Sequence, residues 1–298
     1  MRIFVTGATG FVGSAVVQEL ISAGHQVVGL ARSVATAAAL LAAGAEAFRG
    51  DLEDLESLRS AATQSDGVIH TAFNHDFSKF QENCETDRRV IGALGSALAG
   101  SDRPLIVTSA IGILPLGRLA TEETLPAFGP AAHPRAATEE AAASMAMRGV
   151  RISIVRLPPS VHGDGDHGFV PILIGIARAK SASAFVSDRL NRWPAVHRLD
   201  AAHLYRLVFE KGAAGARYHA VAEGGVPFKE IAGVIGRRLN VPVVSKAPEE
   251  AASHYGWFTH FAAMDIPASS QRTRELLGWQ TKQPELMADL EWSGYFET

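Results

Sequence analysis

The chain has 298 residues, of which 47% are hydrophobic and 20% are charged, values typical of a soluble globular protein. At roughly 100–200 residues per domain, this length predicts one large domain or two interlocked ones, with a core that needs no metal or disulfide. The formal net charge is −3 with both signs mixed along the chain, which argues against a nucleic-acid or anionic-membrane surface.

Short β-rich runs alternate with Ala-rich helical runs over the first half of the sequence. Strands are predicted at 2–6, 26–32, 45–50, 67–71, 105–109 and 151–157, and helices at 14–23, 36–43, 52–62, 86–99 and 135–147. The strands are apolar almost throughout, as expected when helices cover both faces of a parallel sheet. Six strands with five crossovers predict an α/β fold, a Rossmann-type doubly wound sheet.

The pattern loosens after Pro158, where glycines mark an irregular loop. A helix is predicted at 169–179, two further strands at 196–200 and 217–221 with a helix at 201–211 between them, and mostly helical structure from Pro227 onward. We therefore expect a dinucleotide-binding domain at 1–157, to which 196–221 returns. Residues 158–195 and 222–298 then form a smaller substrate-binding lobe over the carboxyl edge of the sheet, where doubly wound folds bind ligands.

The strongest local signal is a TGxxGxxG run from Thr6 to Gly13, between the first strand and the first helix. One glycine serves the tight turn, the next lets a pyrophosphate approach the backbone, and the last lets the helix pack closely on the strand. The N–H groups at the start of the helix then meet the phosphate charge. The run predicts a dinucleotide site, and the residues expected to bind are Gly7, Thr9, Gly10, Phe11, Val12 and Gly13.

The end of the second strand selects between the two nicotinamide cofactors. An acidic residue there accepts the adenosine 2′-hydroxyl, whereas an arginine accommodates a 2′-phosphate. The strand ends at Arg32 and Ser33 without a carboxylate. This favours NADP(H), with Ser33 adding a hydrogen bond; NAD(H) stays open, because Arg32 could also be an ordinary solvated residue at a strand end.

Together with Gly50-Asp51-Leu52 and Leu277-Gly278-Trp279, the glycine run resembles the extended short-chain dehydrogenase/reductases, which include NAD-dependent epimerases and dehydratases. The resemblance covers nearly the whole chain. It implies that Asp51 and Leu52 flank the adenine and that Thr71, Ala72 and Phe73 lie along the cofactor. It also implies that the segment 158–161, with Pro158 and Val161, contacts the nicotinamide end.

The chain departs from that family at its catalytic motif, YxxxK. Arg135 stands where the tyrosine is expected and Glu139 where the lysine is, and all four tyrosines follow residue 200. The chain therefore resembles an atypical subgroup. His133 could exchange protons near neutral pH, and Arg135 could polarise a carbonyl or neutralise an anion. The alternative is a plain helix start with a solvated Arg135. Ser109 is the expected hydroxyl residue, although Ala110 could occupy that position instead.

Three other features are candidates for the substrate side. The glycine-rich loop that follows residue 161 carries His162 and His167, and its spacing fits a turn rather than a metal site, so no metal is expected. His197 lies in a segment similar to one that lines the family's substrate side, although a core histidine is an equal alternative. Trp257, in an aromatic stretch, could wall a pocket or pack in the core.

These observations favour an NADP(H)-dependent oxidoreductase that acts on a small carbonyl or alcohol. An epimerase or dehydratase, and a non-catalytic NADP(H) sensor, are the alternatives. The expected partner is a small-molecule substrate, with neither nucleic acid nor membrane; the family's dimers, through helices corresponding to 86–99 and 135–147, allow a homodimer by analogy. One cysteine, Cys84, a first segment that reads directly as a strand, and no long apolar run together favour a buried structural thiol and a cytoplasmic location.

Overall fold

A seven-stranded parallel sheet forms the centre of the computed structural model, which describes residues 1–129, 132–187, 191–292 and 294–297. In chain order the strands are β1 (Arg2–Thr6), β2 (Gln26–Ala31), β3 (Glu46–Arg49), β4 (Gly67–His70), β5 (Leu105–Ala110), β6 (Ile152–Leu157), β7 (Ser160–His162), β8 (Ser183–Val186), β9 (Arg192–His197), β10 (Arg217–His219), β11 (Glu223–Pro227) and β12 (Val243–Lys246). The large sheet has the order β10-β6-β5-β4-β1-β2-β3. This order confirms the predicted doubly wound fold.

Twelve α-helices occur in the described ranges. They are α1 (Phe11–Ser22), α2 (Val34–Ala42), α3 (Leu55–Thr63), α4 (Phe80–Leu98), α5 (Ala137–Met147), α6 (Phe169–Lys180), α7 (Arg198–Lys211), α8 (Phe228–Leu239), α9 (Pro248–Tyr255), α10 (Thr259–Ala262), α11 (Gln271–Leu277) and α12 (Leu286–Trp292). Short 3-10 turns lie at Phe77–Lys79, Ile111–Ile113, Pro134–Ala136, Gly256–Phe258 and Gly294–Phe296.

Helices cover both faces of the large sheet, which explains why its central strands are apolar on both sides. On one face α1 and α7 pack together around Val16, Leu20 and Tyr205. On the other face α3, α4 and α5 enclose Leu58 and Leu94. Burial on two faces fixes the strands, so that their carboxyl ends meet at one edge.

A second set of elements packs around its own apolar cluster. The small sheet β11-β9-β7 and the pair β12-β8 combine with α6, α8, α9, α10 and α12. Trp193 and Phe228, with ring centroids 4.9 Å apart, lie at the centre of this cluster. The strand β7 follows directly on the large sheet, so these elements lie next to its carboxyl edge.

Several predicted boundaries were wrong, for identifiable reasons. The helix expected at 86–99 begins at Phe80, because its first turns bury Asn83, Cys84 and Asp87 and show no continuous apolar stripe in the sequence. The strand expected at 196–200 ends at His197, whose imidazole accepts the Leu199 N–H and caps α7. The short strand β12 replaces part of the helical structure that was expected from Pro227 onward.

Candidate functional site

The glycine run forms a tight cradle between β1 and α1. Gly7 has φ of +68°, a conformation that favours glycine, and a Cβ there would lie 2.7 Å from the Ala72 nitrogen. A Cβ on Gly13 would lie 2.0 Å from the Gly7 carbonyl oxygen. The Thr71 hydroxyl donates to the Thr6 carbonyl at 2.8 Å, which joins the loop after β4 to the cradle. The residues therefore fit a dinucleotide, because bare backbone faces the start of a twelve-residue helix.

An exposed arginine lies at the end of each of the neighbouring strands β2 and β3. Arg32 is exposed directly after β2, and the exposed Arg49 pairs in register with Ala31. The Ser33 hydroxyl, expected to help bind a phosphate, caps α2 by accepting the Thr36 N–H at 3.1 Å. Sequence reasoning missed Arg49, because its position opposite β2 depends on strand register. Two exposed arginines at neighbouring strand ends are available to a phosphate.

The adenine-side and nicotinamide-side residues implied by the resemblance lie along the same edge. Asp51 is exposed and accepts the Glu53 N–H, while Leu52 packs partly into the core under α3. Pro158 is buried after β6, and Val161 packs against the cluster formed with α1 and α7.

We use the word cleft for the carboxyl edge of the large sheet between the glycine cradle and the segment 133–135. Both histidines next to the segment 158–161 are buried. His162 is completely buried, and its Nδ1 lies 2.8 Å from Asp289 of α12. His197 is buried as well, with its ring centroid 5.4 Å from that of His162. The substrate role expected of both residues stays a prediction: in this structure His162 bonds to Asp289 of α12, and His197 packs edge-on against His162. His162 and His197 come together because they are register partners on the paired strands β7 and β9.

His167 and Trp257 do reach the surface of the site. His167 is exposed, and its ring packs edge-on against Phe11 of the glycine run at 5.7 Å. Trp257 is 58% exposed and lies 5.2 Å from Phe77. Asp166, in the loop between β7 and α6 that carries His167, accepts a hydrogen bond from the Tyr295 hydroxyl at 2.7 Å.

Arg135 is held at the inner end of the cleft by three hydrogen-bond partners. Its guanidinium donates to Asp87 at 2.6 Å, to the Thr138 hydroxyl, and to the Thr108 carbonyl at 3.0 Å, and it lies 3.9 Å over the Phe73 ring. Burial raises the pKa of the Asp87 carboxyl, but the Arg135 charge and the hydrogen bonds from His70 and Thr138 outweigh this and hold that pKa at about 2. Arg135 is therefore an ordered, charge-balanced cation and not the solvated residue of the alternative interpretation.

Asp87 also connects Arg135 to the glycine cradle. Because its ionised carboxylate can only accept, His70 donates to it from Nε2 at 2.9 Å. The other ring nitrogen of His70 lies 2.6 Å from the Thr6 hydroxyl, at the start of the glycine run. Sequence reasoning missed both residues. In the sequence, Asp87 could have been recognised as a carboxylate on the same helix face as the apolar residues Val90, Ile91 and Leu94.

The other substituted position, Glu139, lies inside the core. Its carboxylate accepts two hydrogen bonds from Arg156, at 2.7 and 2.8 Å, and one from the Ser109 hydroxyl at 2.8 Å. Burial raises the pKa of Glu139, and the bonds from Arg156 and Ser109 outweigh this effect and lower it. Arg156 in turn contacts His219 at 3.1 Å. The substrate role expected of Ser109 stays a prediction, and in this structure its buried hydroxyl donates to Glu139.

His133 precedes Arg135 and remains half-buried at the cleft. Its Nδ1 accepts the backbone N–H of Arg135 at 3.2 Å, so Nε2 is the nitrogen available to a ligand. Burial, with the nearby positive charges of His260 and Arg135, lowers the pKa of His133 below its usual 6.5. His133 is thus an uncharged imidazole at neutral pH, with Nε2–H as a donor.

Two further properties concern the described residues only. They contain no cluster of three His, Cys, Asp or Glu side chains arranged to hold a metal ion. None of their helices combines the length and apolarity needed to cross a bilayer.

The chain matches the NAD dependent epimerase/dehydratase family over residues 3–222. An uncharacterized protein of Schizosaccharomyces pombe is 52% identical over 297 residues, covering 99% of this chain and 100% of that protein. Another, from Saccharomyces cerevisiae, is 50% identical over 97% of this chain and 98% of its own. The structure of a nucleoside-diphosphate-sugar epimerase from Pseudomonas aeruginosa superimposes with a TM-score of 0.78 at 18% identity, over 98% of this chain and 95% of that one, and shows the same fold. The chain therefore belongs to the NAD-dependent epimerase/dehydratase family, within the extended short-chain dehydrogenase/reductase superfamily, and it carries Arg135 and Glu139 in place of YxxxK.

Proposed function

We propose that the protein is an NADP(H)-dependent oxidoreductase that interconverts a small carbonyl compound and its alcohol. The observation that carries the proposal is the pairing of His133 and Arg135 at the cleft, connected through Asp87 and His70 to the glycine cradle. When bound, NADPH supplies the hydride. The residues of the chain position the cofactor and stabilise the negative charge that develops on the substrate oxygen.

His133 and Arg135 divide that second task. His133 donates a hydrogen bond from Nε2 to the carbonyl oxygen, and Arg135 places a fixed positive charge beside it. Because Arg135 is already bonded to Asp87, Thr138 and Thr108, it needs no reorganisation when charge develops. The proton that completes the alcohol reaches the oxygen through the half-buried His133 from solvent.

The same arrangement weighs against epimerase or dehydratase chemistry. Those reactions need a strong base at the position of the family's tyrosine, and Arg135 stays protonated. Glu139 is sealed in an ion pair with Arg156. A hydrogen-bond donor next to a cation suits the reduction of a carbonyl better than the removal of a proton.

NADP(H) is preferred over NAD(H) on the strength of Arg32 and Arg49. Both are exposed at adjacent strand ends, where the adenosine 2′-phosphate of a bound cofactor would lie. Replacing Arg32 or Arg49 with Ala is expected to weaken NADPH binding about ten- to hundredfold and to leave NADH binding unchanged. Arg89→Ala, an exposed arginine on α4, is the matched control.

The test is a titration with NADPH and NADH followed by turnover of a panel of aldehydes and ketones, read from NADPH absorbance. Tighter NADPH binding and consumption of NADPH with a carbonyl substrate support the proposal. Binding without consumption favours a sensor, and isomerisation of a sugar substrate with no net change in the cofactor favours an epimerase. Failure to bind either cofactor overturns the proposal.

A further inference from the structure

Five aromatic side chains from two distant segments meet at the mouth of the cleft. We call them the ring cluster: Phe73, Phe77, Phe80, Trp257 and Phe261. Phe77 stacks on Phe80 at 5.6 Å and lies 5.2 Å from Trp257 and 5.7 Å from Phe261. Phe73 lies 6.1 Å from Phe80. The cluster therefore joins the segment between β4 and the start of α4 to the 3-10 turn at Gly256–Phe258 and α10.

The inner end of the ring cluster touches the groups assigned to the chemistry. Phe73 lies under the Arg135 guanidinium, at 3.9 Å. Phe80 packs edge-on against His133 at 5.6 Å. A molecule lying along the rings would thus bring one end to His133 and Arg135.

The rings of the cluster are not sealed into the core. Trp257 is 58% exposed, whereas its neighbour Phe258 is completely buried. Phe73, Phe77, Phe80 and Phe261 are half-buried. Partly exposed rings grouped at one site form an apolar patch of the kind that marks a ligand surface. The exposed surface of Trp257 can accept another ring in an offset or edge-on arrangement.

The charge around the ring cluster suits an uncharged ligand. Arg135, the cation that contacts the cluster, already has its charge balanced by Asp87. His75 lies 5.2 Å from Phe73, and restricted hydration together with the charges of Arg135 and His167 lowers its pKa. The pKa of His133 is lowered as well, so both imidazoles are neutral donors or acceptors at neutral pH. The exposed Asp76 and Lys79 beside Phe77 carry opposite charges, and Arg135 is paired with Asp87, so a carboxylate or a diphosphate would lose hydration there without gaining a net positive charge.

We propose that the ring cluster binds a planar, uncharged aromatic carbonyl compound, with its ring against Phe77 and Trp257 and its carbonyl oxygen directed to His133. The reduction of this compound rests on the proposed function: a hydride from NADPH adds to the carbonyl carbon, a proton adds to the oxygen, and the products are an aromatic alcohol and NADP⁺. The binding itself does not depend on turnover.

Non-reducible amides separate the two proposals. Benzamide, cyclohexanecarboxamide and benzoate are titrated into the NADP⁺-loaded protein by calorimetry. Benzamide is expected to bind about five- to tenfold more tightly than cyclohexanecarboxamide, because only the planar ring stacks. Benzoate is expected to bind more weakly than benzamide. Equal affinities for the two amides overturn the aromatic assignment, even if the protein reduces other carbonyls.

Substitutions in the ring cluster test where benzamide binds. Trp257→Leu and Phe77→Leu are expected to remove the preference for benzamide, while Trp257→Phe keeps most of it. Leu41→Ala, an exposed apolar residue on α2, is the matched control. Because Trp257 is largely exposed, its replacement is expected to leave the thermal midpoint unchanged. Retention of the preference in both leucine variants overturns the site. If NADP⁺ does not bind, the proposed function fails, and the same amide titrations on the free protein still test the ring cluster.

Discussion

Arg135 and Glu139 lie four residues apart, and the protein holds them in opposite ways. Arg135 is 8% exposed, its charge is balanced by Asp87, and its edge reaches the cleft. Glu139 has no exposed surface, and its two oxygens are occupied by Ser109, Arg156 and Arg217. The position where the family places a tyrosine thus holds a paired cation beside His133, whereas the position of the lysine has become part of the core.

The largest expected effect is on stability and follows from replacing Glu139, the residue in the core. Glu139→Ala leaves Arg156 buried without its partner, and removal of one member of a buried ion pair costs about 3–5 kcal/mol of the free energy of unfolding. Urea denaturation followed by circular dichroism measures this loss. Glu140→Ala, on the same helix as Glu139, removes a half-exposed pair with Arg88 of α4 and is expected to cost less than about 1 kcal/mol. Similar losses in the two variants would contradict the structural role of Glu139.

Acid should weaken the same network, through His219. Burial and the neighbouring Arg156 charge lower the pKa of His219 to about 4, from an ordinary value of 6.5. The unfolded chain therefore binds a proton that the folded chain does not, and stability falls as the pH drops from 6.5 to 4, by up to about 3 kcal/mol.

The free energy of unfolding against pH tests this expectation. His219→Gln should flatten the curve in that window, and replacement of the exposed His260 with Gln should not. A slope that is identical in all three proteins would assign the acid sensitivity to other groups.

Arg135→Lys tests whether the guanidinium at the cleft contributes to catalysis. Lysine keeps the charge, but it cannot reach both Asp87 and the Thr108 carbonyl with a planar fork. We expect kcat/KM for carbonyl reduction to fall about ten- to hundredfold with NADPH affinity unchanged. Steady-state kinetics and cofactor titration measure the two quantities. Arg88→Lys, a half-exposed arginine on α4, is the control, and full activity in Arg135→Lys would show that the fork has no role.

The smallest expected effect is a change in how the rate of reduction depends on pH, and it tests the role of His133. Protonated His133 is a stronger donor than the neutral form, and its pKa lies below 6.5. The rate of reduction should therefore rise several-fold as the pH falls from about 8 to about 5.5. In His133→Gln, which keeps a donor but does not titrate, this rise should disappear. A pH profile that is unchanged by the substitution would place the titrating group elsewhere.

The sequence predicted the parts of this site that depend on neighbours along the chain. The glycine cradle, Arg32 and the substitutions at Arg135 and Glu139 could all be identified from local spacing. Their partners could not: Asp87, Arg156 and Arg49 come from other elements, and only strand register and helix packing bring them together. The same limit applies to the direction in which a candidate side chain points. Ser109 and His162 are chemically suitable, but whether a side chain faces the cleft or the core is decided by a one-residue difference along a strand.

Cys84 provides a direct way to follow the helix that holds Asp87. It is the only thiol of the chain, it is 1% exposed, and it lies three residues before Asp87 on α4. Burial raises its pKa to about 11. A thiol-reactive dye can therefore label the native sequence only when α4 opens, and the labelling rate reports that local opening. The unmodified protein thus carries a single labelling site beside its own cleft. Slower labelling in the presence of a ligand would measure how much that ligand stabilises α4 against local opening.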